Sequence, residues 1–84
     1  MTFNEIKENC VYKIIWISED SDKRFEVISK CSGSDDDTRF MDDIYVIEGG
    51  EDDGLVMDWD LDKSQFQNYA VQEVPRETNP EYYL

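Results

Sequence analysis

The most constraining feature of this sequence is a run of strict alternation. Across Leu55–Asp62, Leu55, Met57, Trp59 and Leu61 alternate with Val56, Asp58, Asp60 and Asp62. Successive strand side chains point to opposite faces, so this pattern predicts a strand with one buried face and one wet, acidic face. Cys10–Ser18 predicts another strand: Tyr12, Ile14 and Trp16 alternate with Val11, Lys13, Ile15 and Ile17. Both of its faces are largely apolar, which predicts a central position in a sheet.

Three further strands follow by the same reasoning. Arg24–Lys30, with Phe25 and Val27 on one face and Ile28 on the other, predicts the second arm of a hairpin after the polar turn Glu19–Lys23. Cys31–Thr38 reads as a loop, and Arg39–Glu48 holds a third strand, best at Ile44–Ile47. Gly49–Gly54 reads as a turn, where glycine supplies positive φ. Ser64–Asn68 predicts one helical or 3-10 turn and Tyr69–Val74 a short closing strand. At the start, Thr2 can cap a helical turn over Phe3–Glu8, with Glu5 at the third position as in a capping box. Composition leans toward disorder, with 35% charged residues and a mean hydropathy of -0.70. The aromatic 13%, set at strand spacing, argues instead for a folded chain.

Five short strands, tight turns and a late helical turn predict an all-β fold, a small five-stranded antiparallel barrel over Cys10–Val74. Its order resembles an SH3-like barrel, a likeness of architecture that carries no function. The alternative is an antiparallel sheet packed by the N-terminal helix. Residues 1–74 are expected to form a single small β domain and 75–84 an extended C-terminal tail, unless Tyr82, Tyr83 and Leu84 dock. A chain of 84 residues builds a small core, burying roughly 60–65% of its unfolded surface.

Charge is the second constraint. The chain carries 21 acids, 8 bases and no histidine, for a net charge of -13. Residues 1–34 and 63–84 each have a net charge of -1, and residues 35–62 hold twelve acids against the single base Arg39, net -11. Such a block costs stability by self-repulsion and exceeds the charge of about 2–8 that solubility needs. It disfavours direct binding to nucleic acid or to an anionic membrane, and it points to a basic protein surface. Asp58, Asp60 and Asp62 on one strand face are spaced by about 6.5–7 Å, on the scale of neighbouring phosphates. Asp35, Asp36, Asp37, Asp42, Asp43, Asp52 and Asp53 can extend the row. These ten residues are the expected partner-binding set, acting by replacing phosphates in a groove of Lys and Arg. In size and charge the chain resembles small viral inhibitors of restriction, CRISPR or repair enzymes. The expected partner is a basic nucleic-acid-binding protein. The competing expectation is a non-inhibitory SH3-like adaptor or subunit that binds a peptide in an apolar groove. Phe40, Tyr45 and Tyr69 become interface anchors if they border the acidic face, and are only core if buried.

Other chemistries are disfavoured. Asp58-Trp59-Asp60-Leu61-Asp62 resembles the opening of an EF-hand calcium loop, but the sixth position is Lys63 and the twelfth Tyr69, where glycine and glutamate belong. No catalytic residue, cofactor or metal is assigned: cysteine nucleophiles lack a histidine base, and no glycine-rich phosphate loop precedes a helix. Met1–Cys10 is polar and no apolar run approaches about 18 residues, so the expected location is cytoplasmic. Cys10 and Cys31 read as buried or free thiols there, and as a disulfide only if the fold brings them together.

Overall fold

The computed structural model describes residues 1–49 and 58–83. Five antiparallel strands form one sheet: β1 Val11–Ile17, β2 Arg24–Ser34, β3 Thr38–Glu48, β4 Asp58–Asp62 and β5 Ala70–Glu73, in the order β4-β3-β2-β1-β5. The fold is therefore all-β, as the alternation requires. The sheet is open, with β4 and β5 as its edges, so the closed barrel expected from sequence gives way to an antiparallel sheet with an N-terminal turn packed on it. β1 lies between β2 and β5, which explains why both of its faces are apolar.

The sheet curls without closing. Its β2–β3 register shifts three times, leaving Ser32, Ile44 and Ile47 without a direct opposite number. Each bulge adds bend and twist. The concave, inner face then gathers Tyr12, Ile14, Val27, Cys31, Met41 and Leu61 into the main core, capped by Phe3 and Ile6. Trp59 of β4 reaches Trp16 of β1 at 5.5 Å and Tyr69, next to β5, at 5.7 Å between ring centroids. Aromatic packing thus spans the two ends of the sheet where a hydrogen-bonded ladder does not. The bulges also explain why Ile44 and Ile47, in the segment expected to be the best part of the third strand, are 37% and 47% exposed.

The strands are longer than the sequence pattern implied. Most of the expected loop Cys31–Thr38 is strand, and only residues 35–37 separate β2 from β3. The expected strand Leu55–Asp62 is observed over its described part, Asp58–Asp62; residues 55–57 and most of the turn Gly49–Gly54 lie outside the described residues. The two helical turns are 3-10 turns, Phe3–Glu5 and Lys63–Asn68. In the first, Thr2 and Glu5 form the expected capping box; the Thr2 N–H donates to the Glu5 carboxylate at 2.5 Å, and this bond holds the Glu5 carboxyl below its ordinary range.

A second, smaller core covers part of the outer face. Val11, Ile28 and Val74 are buried there, with Tyr82 and Tyr83 packed on them. The C-terminal segment is thus not simply extended: Pro80–Tyr83 forms a 3-10 turn. The Tyr83 hydroxyl accepts from the Val11 N–H at 3.2 Å and donates to the Val74 carbonyl. Val11 opens β1 and its carbonyl accepts from the Val74 N–H at 2.9 Å, so this hydroxyl ties the tail to the sheet. Leu84 lies outside the described residues.

Candidate interaction face on the outer side of β3 and β4

β4 sets the geometry. Trp59 and Leu61 point inward, Leu61 fully buried, so Asp58, Asp60 and Asp62 project outward and are exposed. β3 runs antiparallel beside them, pairing Asp42 with Asp58, Phe40 with Asp60 and Thr38 with Asp62. Directly opposed residues share a face, so the outer side carries a double row: three aspartates on β4, and Asp42, Phe40 and Thr38 on β3.

The row continues into the β2–β3 turn. The Lys63 N–H donates to the Asp37 carbonyl at 2.8 Å, which holds the turn against the end of β4. The Thr38 hydroxyl meets Asp62 at 3.4 Å, and the Asp37 N–H donates to the Asp35 carboxylate at 2.9 Å. Asp35, Asp36 and Asp37 are all exposed. Seven of the ten expected aspartates therefore lie along one continuous stretch: 35, 36, 37, 42, 58, 60 and 62.

The other three do not join it. Asp43 follows Asp42 in a strand and so faces inward, where it accepts the Trp59 indole N–H at 2.8 Å. Its role is to orient an aromatic ring of the inner cluster. Asp52 and Asp53 lie outside the described residues.

Repulsion within the row is sharpest where Asp58 faces Asp42 across the ladder. Hydrogen bonding of the protonated Asp58 carboxyl to Asp42, together with the like charge of Asp42, holds the Asp58 carboxyl above the ordinary carboxylate range. Lys30 of β2 lies opposite Asp42 on the same face. Arg39, the single base of residues 35–62, does not neutralise the row. It is 8% exposed, donates to the carbonyls of Ile6 at 2.9 Å, Asp35 at 2.8 Å and Thr38 at 3.2 Å, and stacks over Phe3 at 4.3 Å. Sequence reasoning counted Arg39 as a charge and missed it as a structural tie.

The three candidate anchors separate cleanly. Phe40 is 38% exposed in the middle of the acidic row, its ring lying against Gly33, where an added Cβ would sit 3.1 Å from Cδ2. Tyr45 is 57% exposed and pairs with Ile28 further along the outer face. Tyr69 is half-buried among Trp16 and Trp59 and belongs to the core.

Away from the row, Glu26 and Glu48 oppose each other across β2 and β3. Arg24 bridges them, at 2.8 Å to Glu26 and 2.6 Å to Glu48. A separate groove of about 630 Å³ opens between the end of β1 and the second 3-10 turn, lined by Trp16, Ile17, Glu19, Gln65, Gln67 and Tyr69 among others.

The D-x-D-x-D segment is a strand, which spreads Asp58, Asp60 and Asp62 in a line instead of wrapping them around a cation. Among the described residues no helix is long and apolar enough to cross a membrane. No family model, curated protein or solved structure gives a significant match to the chain.

Proposed function

We propose that this protein is an acidic protein-binding inhibitor. Its outer β3–β4 face occupies the phosphate-binding groove of a basic nucleic-acid-binding protein, such as a nuclease, restriction, CRISPR or repair enzyme. The observation that carries this reading is the double row itself: four carboxylates on paired strands, Asp42, Asp58, Asp60 and Asp62, continued by Asp35–Asp37 in the adjoining turn, with Arg39, the single base of residues 35–62, withdrawn into the interior. Carboxylates on a sheet are pre-positioned, so little ordering entropy is lost on docking, and a field of one sign speeds encounter with a basic surface. Phe40, exposed within the row, supplies apolar contact that phosphate groups lack. The strand order, with a 3-10 turn between β4 and β5, also supports reading the sheet as a variant of the SH3-like barrel. No catalytic role is proposed, and the proposed location is the cytoplasm.

The test is capture from a cell extract at low salt by the wild-type chain and by Asp58→Asn/Asp60→Asn/Asp62→Asn. The reading expects a basic nucleic-acid-binding protein held by the wild type and lost with the variant. Equal capture by both would overturn it.

A second reading rests on the groove beside Trp16 and Tyr69: an adaptor that holds a peptide there. Ile17, 62% exposed at the groove, makes Ile17→Asp the discriminating variant. It impairs a groove binder and leaves an acidic-face binder intact, and binding in the groove weakens less with salt.

A further inference from the structure

The two cysteines face each other at the start of the β1–β2 ladder. That ladder pairs Val11 with Lys30, and one step outward it sets Cys10 against Cys31. The Cys31 N–H donates to the Cys10 carbonyl at 3.0 Å, and the Asn9 N–H donates to the Cys31 carbonyl at 2.7 Å. Asn9 has φ 66, so Asn9 and Cys10 together oppose Cys31 in the manner of a β-bulge whose first residue is left-handed. Both side chains lie on the inner face: Cys31 is fully buried in the main core, and Cys10, half-buried, packs against it. Directly opposed, hydrogen-bonded strand residues have Cα atoms about 5.5 Å apart, within the span of roughly 4.4–6.8 Å that a disulfide bridges.

We propose that Cys10 and Cys31 form a redox-sensitive pair that closes an intramolecular disulfide across β1 and β2 when the protein meets a small-molecule disulfide. Cys10 is the more accessible sulfur and reacts first. Its thiolate attacks the small disulfide, forms a mixed disulfide and releases one small thiol. The Cys31 thiolate then attacks the Cys10 sulfur, the protein disulfide forms, and the second small thiol leaves. Two cysteine thiols are oxidised, one small disulfide is reduced, and the two cysteine protons end on the released thiols. Burial pushes the Cys31 thiol up, so the second step quickens at alkaline pH. Cys31 Sγ donates to the Gly33 carbonyl at 3.2 Å in the reduced protein, and closing the bridge requires it to leave that partner.

The test is to incubate the folded chain with glutathione disulfide, quench with acid, and read the intact mass and the linked peptides. The expected product has lost two hydrogens, links residues 10 and 31, resists alkylation and reverts with dithiothreitol. Cys31→Ala should stop at a glutathione adduct on Cys10. A wild-type chain that accumulates the same adduct with Cys31 still free overturns the proposal. So does one that forms only disulfide-linked dimers, or that does not react. The wild-type peptide map decides the matter even where the variant fails to fold.

Discussion

Asp58 on β4 stands directly opposite Asp42 on β3 on the outer face, and Asp42 holds the Asp58 carboxyl above its ordinary range. Like charges directly opposed across a ladder are unfavourable, so the fold holds this pair against local repulsion. Nearby Arg39, the one base the acidic segment could have offered, is instead bound to three backbone carbonyls. The charge of the outer face is a consequence of where the strands place side chains, and composition alone does not describe it.

The pair makes stability depend on pH in a specific direction. The Asp58 pKa is raised on folding, so its contribution favours the folded state below the ordinary value of 3.8 and is lost as pH rises through the folded value. Asp42→Asn removes the partner charge. Thermal denaturation should show this variant to be more stable than wild type at pH 7, with the gap closing below about pH 4. Glu5 works in the opposite sense. Its pKa is lowered, so its contribution is present above the ordinary value of 4.5 and is lost as pH falls through the folded value. Glu5→Gln should therefore be destabilised at pH 7 and match wild type in acid.

Arg39 should be intolerant of substitution. Arg39→Leu strands carbonyls that its guanidinium satisfies, at a cost on the order of 3 kcal/mol in urea denaturation. Arg39→Lys should recover only part of this, since an ammonium lacks the planar fork that reaches several acceptors at once.

The tail contact is a single hydroxyl. Tyr83→Phe keeps the ring on Val11, Ile28 and Val74 but leaves the Val11 N–H and the Val74 carbonyl without that partner. The expected loss is about 1–3 kcal/mol. Amide exchange at Val11 should also quicken in this variant.

Gly49 follows β3 with φ 91, and a Cβ there would lie 2.5 Å from Phe25 Cδ1 and 2.8 Å from the Arg24 carbonyl oxygen. Gly49→Ala should therefore destabilise by at least about 1 kcal/mol, measured by chemical denaturation. The stacked pair Trp16–Phe25 should register the shift as a change in tryptophan fluorescence.

The main elements were legible because each depends on a local pattern. Alternation put Asp58, Asp60 and Asp62 on one face, and two apolar faces made β1 central. Asp43 was legible too, since neighbours in a strand point to opposite sides, but counting acids by segment hid that signal. The bulges at Ser32, Ile44 and Ile47 were not legible. They answer to the curl that brings Trp59 toward Tyr69, a contact between distant parts of the chain. Arg39 and Tyr83 share that cause: their partners are backbone atoms, which no side-chain pattern reports. Tyr83 reaches Val11 across 72 positions.

The central claim is that the acidic row stands in for phosphates, and competition with duplex DNA tests it most directly. A partner captured by this protein is immobilised, and DNA is titrated against the bound chain. The account predicts mutually exclusive binding: DNA displaces the protein, the protein displaces DNA, and Asp58→Asn/Asp60→Asn/Asp62→Asn fails to compete. A ternary complex in which the partner holds DNA and this protein together would contradict it.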